Sequence, residues 1–279
     1  MARYRPVGPG PLGVGGAIIV AAVALAATGP WLVAIDPSVQ NLSMRLTGPS
    51  WHHPLGLDEL GRDMLARVLI GTRISLMVGV VVVGVSATAG TIMGAVAGYF
   101  GGVVDDVIGR VIDALLAFPG LLLAIALVAV LGPSLSHVLL ALTSIGWVGY
   151  ARLVRGQVMR VRTFEYVQGA IALGAGTTRV LWHHVIPTVA PIVVVQATLG
   201  MAGAIVGEAS LSFLGLGVQP PTPSWGAMLN GGRAHLLDAP HLTIIPGAAI
   251  ALLVLGFNLV GDSLRERLDP RASERSRAG

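Results

Sequence analysis

An all-α membrane protein with six transmembrane helices is the fold class that the sequence predicts. Of its 279 residues, 54% are hydrophobic and only 11% are charged, which excludes an ordinary soluble domain. The apolar residues form long runs, several of which reach the roughly 20 residues that cross a bilayer as a helix. Arginine residues lie at the ends of these runs. That distribution is typical of membrane topology and not of a nucleic-acid-binding patch.

The first predicted span covers residues 12–35 and follows a short Gly- and Pro-rich tail. An alternative for this segment is a cleaved signal peptide, because Ala22-Val23-Ala24 fits a small-residue cleavage site. The apolar run continues beyond that site to Trp31, an aromatic residue suited to the membrane interface. This continuation favours a span over a signal peptide.

Three further spans are predicted before the middle polar segment of the chain. Their ranges are 74–97, 111–131 and 137–154. Residues 98–110, which carry several charges, are expected to form a short turn. The second span contains Gly90, Gly94 and Gly98 at four-residue spacing, a pattern that lets a neighbouring helix approach closely.

A long polar segment, residues 163–187, interrupts the apolar second half of the chain. Thr163 is expected to cap a short helix. Small and apolar side chains then share one face, at Val167, Ala170, Ile171 and Gly174. Thr177 or Thr178 is expected to cap a second short helix that Pro187 ends. A helix too short to be stable alone, with a small-residue face, predicts docking into a groove of a partner.

The last two spans are predicted at residues 189–216 and 243–260, joined by a Pro- and Gly-rich connection. A carboxylate inside a span must face the bundle or a cavity, because exposure to hydrocarbon is costly. The polar residues of these spans, Glu208, Ser212 and Asn258, are therefore candidates for a functional role inside the membrane, as pathway or gate residues if the chain carries a solute. Structural hydrogen bonding between helices is the alternative for Glu208 and Asn258.

The arginine residues also predict the orientation in the membrane. With six spans, both termini and the central polar segment lie on one side, which holds thirteen of the 18 basic residues, all of them arginine. Positive charge concentrates on the cytoplasmic side of membrane proteins. We therefore expect cytoplasmic N- and C-termini and a cytoplasmic central segment.

Missing residue types exclude several function classes. The chain has no cysteine, which rules out thiolate metal sites and cysteine nucleophiles, and no lysine, which rules out a Walker A phosphate loop. No GxSxG or HExxH motif is present, and His52 and His53 have no further metal ligands at a suitable spacing. We expect no catalytic residue, metal or cofactor in this chain, and any energy from ATP would have to come from another chain.

Three segments resemble the C-type permease subunits of dipeptide and oligopeptide importers, members of the peptide/nickel family of ABC importers. They are His53-Pro-Leu-Gly-Leu-Asp-Glu-Leu-Gly-Arg-Asp63, the stretch from Glu208 to Gly226, and a Gly-Asp ending at 261–262 followed by Leu-Asp-Pro-Arg at 268–271. The central segment resembles the family's EAA loop. It keeps the spacing at Gly174 and Pro187 but has Gln168 and Gly169 where the family has Glu and Ala.

The resemblance implies a type I ABC importer permease fold with a cytoplasmic coupling helix that inserts into an ATPase subunit. The residues that it assigns to the coupling helix are Glu165, Tyr166, Gln168, Gly169, Ala170, Ala172, Leu173, Gly174 and Ala175. The connection at residues 217–241, expected on the outer side of the membrane, is called the outer connection. In it, Trp225 and Arg233 are candidates for docking a binding protein. A structural cap over the helix ends is the alternative for this connection.

The implied function is half of the translocation pathway for dipeptides or oligopeptides in a bacterial inner membrane. The implied partners are a homologous B-type permease, one or two ABC ATPase subunits, an extracytoplasmic peptide-binding protein and the lipid bilayer. Import of nickel or glutathione by the same architecture is an alternative. A proton-coupled secondary transporter using Glu208 is another, although internal repeats are not evident.

The implied domain organisation has three parts. Residues 1–72 comprise the N-terminal tail, the first span and an outer segment. Residues 73–262 form a five-helix permease core that contains the EAA-type loop at 163–187, and residues 263–279 form a cytoplasmic tail.

Overall fold

A computed structural model describes residues 10–32 and 36–268, and this part of the chain is helical with connecting turns. An isolated bridge between Leu57 and Asp63 is the one β-type pairing within it. The helices are α1 (Pro11–Leu32), α2 (Met64–Phe100), α3 (Gly102–Leu116), α4 (Gly120–Leu131), α5 (Leu135–Val161), α6 (Glu165–Ala172), α7 (Thr177–Val180), α8 (Ile186–Phe213), α9 (Trp225–Gly232) and α10 (His241–Leu268). A π-helical turn, Leu181–Val185, joins α7 to α8.

Five helical stretches are long and apolar enough to cross a membrane, and the number is six if the pair α3 and α4, which is bent by 83°, counts as one broken span. The predicted all-α fold class is confirmed. The first span is helical from Pro11 to Leu32 in the structure. Its predicted continuation over 33–35 and residues 269–271 of the Leu-Asp-Pro-Arg motif lie outside the described residues.

The expected turn at 98–110 is wrong, because α3 begins at Gly102 and continues to Leu116. The charged residues that suggested a turn lie on this helix, and one of them, Asp105, is buried. Its carboxylate accepts hydrogen bonds from Arg155 of α5, the one from Nη2 at 2.7 Å. The actual break is at residues 117–119, where Pro119 precedes α4.

α2 also starts earlier than predicted, at Met64, so the predicted boundary at residue 73 falls inside a helix. Its 37 residues extend over about 55 Å at 1.5 Å per residue, well beyond a hydrocarbon core of about 30 Å. The Met64 end of α2 can therefore extend beyond the hydrocarbon and carry buried polar groups. Asp63 caps this end by accepting a hydrogen bond from the Ala66 amide at 2.9 Å, and its other oxygen lies 2.8 Å from His53 Nδ1.

The central contact of the bundle joins α2 to α5, and Gly90, Gly94 and Gly98 of α2 lie at it. A Cβ atom on Gly90 or Gly94 would overlap the carbonyl oxygen of Trp147 or Ala151, and one on Gly98 would lie 2.7 Å from the Arg155 carbonyl oxygen. The two helix backbones are in direct contact along this ridge. The prediction of close approach at these glycines is confirmed.

Candidate functional site

α6 follows α5 after a tight turn. Thr163 does not cap it, as the sequence suggested, because the Thr163 hydroxyl donates back to the Arg160 carbonyl at 2.8 Å. The residue before the helix is Phe164, in an extended conformation. Gly174 ends the helix with a φ of +86°, a left-handed conformation that favours glycine. The predicted helix–glycine–helix arrangement is therefore present, but its first helix begins at Glu165 without a cap from Thr163.

Pro187 does not end the second helix. Residues Thr177–Phe213 form one continuous span, in which Pro187 follows the π-helical turn Leu181–Val185. Pro187 stands in the first turn of α8, where a missing amide hydrogen costs little. Neither Thr177 nor Thr178 acts as the cap before α7, because Gly176 holds that position.

The predicted apolar face of α6 is divided between two environments. Val167 points inward and is fully buried in a cluster that joins α6 to α2, α5, α7 and α8. Its buried members are Ala95, Val154, Val158, Val161, Val167, Val180, Val185 and Val189. Ile171 and Gly174, which were expected to share this face with Val167, are exposed. Val167 therefore anchors α6 to its own chain.

Two polar contacts fix α6 further. The Tyr166 hydroxyl lies 2.9 Å from Thr188 Oγ1 on α8. The Gln168 amide donates to the Arg162 carbonyl at 2.7 Å, so this side chain secures the preceding turn. The Arg162 guanidinium in turn donates to the Tyr99 carbonyl at the end of α2, at 2.6 Å.

The rest of α6 and the turn after it form an exposed surface in which small residues lie beside the larger side chains Tyr166, Ile171 and Leu173. Leu173 is 91% exposed. Its exposed neighbours are Glu165, Tyr166, Gln168, Gly169, Ala172 and Gly174, with Ala170 and Ala175 half-buried. A leucine displayed among small residues has the shape and chemistry to fill a partner's groove.

At the opposite end of the bundle, Glu208 and Ser212 lie inside packed protein. Glu208 is fully buried, and the Ser212 hydroxyl donates to its carboxylate at 2.6 Å. Ser212 also accepts a hydrogen bond from the Val218 amide at 3.3 Å. These contacts tie α8 to the outer connection and support the structural alternative for Glu208. Asn258 is half-buried on α10.

Trp225 is not displayed for docking. Its side chain is 2% exposed, its Nε1 donates to the Val68 carbonyl at 3.1 Å, and its ring packs against Gly71 of α2. The ring is large enough to fill the space between α2 and α9. The structural alternative is therefore the better account of this residue.

Arg233, by contrast, lies exposed in the outer connection, in a 3-10 turn that follows α9. Leu237 nearby is fully exposed. His235 Nδ1 lies 3.1 Å from the carboxylate of Asp238, and this hydrogen bond lowers the pKa of Asp238 below its usual value. These residues form the exposed outer surface to which the docking interpretation still applies.

Trp225→Ala is expected to lower the stability of the subunit by about 3 kcal/mol or more, because it empties a filled aromatic site. Trp225→Phe, which keeps a ring but loses the Nε1 hydrogen bond, should cost about 1 kcal/mol. Thermal unfolding of the purified subunit measures both. If Trp225→Ala instead leaves stability and basal ATPase activity of the complex intact and lowers only stimulation by the loaded binding protein, the structural account is contradicted.

A cavity of about 330 Å³ lies between α2, α4, α5 and α8. The polar side chains that line it are Ser86, Tyr150 and Gln196. Sequence reasoning missed all three and pointed to Glu208, Ser212 and Asn258, none of which lines this cavity. A usable signal was present, because Tyr150 and Gln196 are polar residues inside apolar spans with glycines three or four positions away.

Five apolar helices of membrane-spanning length and one bent helix pair, with a cavity between four of the helices and a short exposed helix at one end, are the features of a multi-pass membrane permease. Residues 90–274 match the family described as binding-protein-dependent transport system inner membrane components. The chain belongs to this family.

Relatives of known role agree with this membership. The chain is 43% identical to the dipeptide transport system permease protein DppC of Alkalihalophilus pseudofirmus, over 92% of this chain and 85% of the relative. It is 42% identical to the probable D,D-dipeptide transport system permease protein DdpC of Escherichia coli, over 94% and 88%. It is 46% identical to the glutathione transport system permease protein GsiD of Pectobacterium atrosepticum, over 80% and 74%.

Among solved structures, the fold is similar to that of a chain of the MetNI methionine ABC transporter in an inward-facing conformation. The TM-score is 0.53 at 15% identity, covering 71% of this chain and 96% of that chain. This likeness shows the fold alone. Together with the family and the relatives, it confirms the resemblance to C-type permeases: the chain is a transmembrane permease subunit of an ABC importer.

Proposed function

We propose that the chain lines half of the translocation pathway of an importer for dipeptides or oligopeptides, in a heterodimer with a homologous B-type permease. The observation that carries this proposal is the similarity to dipeptide permeases over more than nine-tenths of the chain. The proposed permease core consists of residues 73–262 together with the part of α2 that precedes them, residues 64–72. Glutathione is the second candidate substrate, because glutathione permeases are as similar as the dipeptide permeases over a shorter range.

The exposed surface of α6 is the proposed contact with the ATPase subunits, which supply the energy because this chain has no lysine for a phosphate loop. Closure of the ATPase pair would pull on α6. Val167 links α6 to α2, α5 and α8, and the Gln168–Arg162 and Arg162–Tyr99 hydrogen bonds link it to α2 through the preceding turn, so the pull would reach the spans directly.

The proposed orientation places α6 and both termini in the cytoplasm of a bacterial cell, with the permease in the inner membrane. Thirteen of 18 arginines lie on that side. The outer surface around Arg233 and Leu237 would then face the extracytoplasmic peptide-binding protein. Trp225 would stabilise this surface by packing beneath it, against α2.

Reconstitution in liposomes tests the proposed function. The complex of this chain, its permease partner, its ATPase subunits and the binding protein should take up a labelled dipeptide when ATP is supplied. Uptake should stop with vanadate and persist with a protonophore. Uptake of glutathione in place of dipeptides would select the second candidate, and inhibition by the protonophore alone would overturn the ATP-driven mechanism.

The purified chain without ATPase subunits is expected to show no ATP hydrolysis, because no phosphate-binding lysine is present. Phosphate release from a preparation free of ATPase subunits, checked by mass spectrometry, would contradict this expectation. The complete complex serves as the positive control.

A further inference from the structure

The cavity between α2, α4, α5 and α8 lies at the middle of the bundle. Tyr150 stands near the midpoint of α5, and Gln196 lies near the midpoint of the continuous span Thr177–Phe213. Its volume of about 330 Å³ is at the lower end of the range for small-molecule sites. The cavity is therefore placed and sized for a small solute within one permease subunit.

Two hydroxyl groups in this cavity have unused hydrogen-bonding capacity. The Ser86 side chain is 1% exposed, and its Oγ has no hydrogen-bond partner within residues 10–32 and 36–268. The Tyr150 hydroxyl reaches only the Gln196 carbonyl, at a long 3.4 Å. A buried hydroxyl without a partner is costly, so a ligand that supplies hydrogen bonds would be stabilised here.

Glycines shape the wall around these hydroxyls. A Cβ on Gly146 would lie 2.5 Å from Ser86 Oγ, and one on Gly200 would overlap the Tyr150 hydroxyl. Any larger residue at either position would displace the hydroxyl or fill the space beside it. The two glycines therefore keep both hydroxyls in place at the cavity wall.

The break in the third span adds an attraction for negative charge. Gly120 and Leu121, the first two residues of α4, line the cavity. Across the described part of the chain, no side chain caps the start of this 12-residue helix. Its first amide groups keep their hydrogen-bonding capacity, and the positive end of the helix dipole lies at the cavity. No acidic side chain lines the cavity to repel an anion.

We propose that this cavity is a solute site inside the single subunit, which binds the free carboxylate and adjoining amide of a short peptide. The start of α4 and the hydroxyls of Ser86 and Tyr150 would donate to the carboxylate. The Gln196 side chain, which is exposed at the wall, would pair with the peptide amide. This inference rests on the proposed function, because it takes a peptide as the solute.

Binding to the complete permease–ATPase complex in detergent, without binding protein, tests the proposal. We expect Ala-Ala to bind and Ala-Ala amide to bind at least about tenfold more weakly, because the amide lacks the carboxylate. Ser86→Ala, Tyr150→Phe and Gln196→Leu should each weaken Ala-Ala binding at least about threefold. Ser75→Ala is the matched control, because Ser75 is an equally buried serine of α2 without a hydroxyl partner in the described chain, and it does not line this cavity.

A thiol-labelling experiment tests the proposal independently, in case the binding variants fold poorly. The chain has no cysteine, so Gln196→Cys and the control Val194→Cys each introduce a single exposed thiol on α8. Val194 does not line the cavity. Ala-Ala should slow modification by a small thiol reagent at position 196, measured by mass spectrometry of this subunit, and should leave the rate at position 194 unchanged.

Equal binding of Ala-Ala and its amide, or binding that Ser86→Ala and Tyr150→Phe leave unchanged, would overturn the proposal. Absence of thiol protection would overturn it as well, and would indicate that water, lipid or the partner permease fills the cavity. If the wild-type complex imports dipeptides while these results are negative, the proposed function stands and only the site is wrong. If the liposomes import no peptide, the proposed function itself fails.

Discussion

Leu173→Asp is expected to abolish copurification of the ATPase subunits and to reduce ATP-driven uptake at least about tenfold. The side chain is 91% exposed at the end of α6 and makes the largest apolar contribution to that surface. Placing a carboxylate in a partner's apolar groove leaves a buried charge without a counterion, which is strongly unfavourable. Affinity purification through a tag on this subunit, followed by quantification of the ATPase chains, measures the effect.

The matched control is Leu237→Asp, which adds the same charge at a fully exposed leucine on the opposite face. This variant should retain the ATPase subunits, while Leu173→Asp should still insert into the membrane at the wild-type level. Normal ATPase copurification with Leu173→Asp would remove α6 as the contact. Loss with both variants would mean that the added charge disturbs the subunit generally.

Gly94→Val is expected to lower the melting temperature of the isolated subunit sharply, or to prevent its accumulation. A Cβ at this position overlaps the Ala151 carbonyl oxygen, and Val154 and the Arg155 amide lie close by. Overpacking costs about 1–3 kcal/mol where side chains can move, and more here because the opposing atoms belong to the backbone. Fluorescence-detected unfolding in detergent measures the change.

Gly84→Val provides the control for helix propensity. Gly84 lies on the same helix, and an added Cβ there meets no atom within 4 Å. Both variants introduce the same β-branched residue into α2, so only the contact with α5 distinguishes them. Equal melting temperatures for the two variants would show that the glycine ridge does not hold α2 against α5.

The spans and the glycine ridge were predictable because both depend on local pattern. A run of about 20 apolar residues forms a helix in a membrane whatever its neighbours are, and Gly90, Gly94 and Gly98 have few other uses at that spacing. α3 was not predictable in this way. Asp105 suggested a turn until its partner Arg155, fifty residues later in the chain, was known.

The candidate sites were predictable only in part, for a related reason. Helical periodicity indicates which residues share a face, but it does not indicate which face is turned inward, so Val167 was assigned to the docking surface. Tryptophan in a Pro-rich loop suggested docking, although Trp225 fills an internal space. Ser86 carries no distinguishing sequence signal, because its environment comes from α4, α5 and α8.

The continuous helix Thr177–Phe213 has a mechanical consequence. It runs as one span from the segment after α6, past the cavity at Gln196, to the buried carboxylate of Glu208 at the other end. Its 37 residues extend over about 55 Å, so a 5° tilt about the midpoint displaces both ends by about 2 Å in opposite directions. If α6 is pulled as proposed, the Thr177 end and the Glu208 end of this helix therefore move in opposite directions about a pivot beside the cavity.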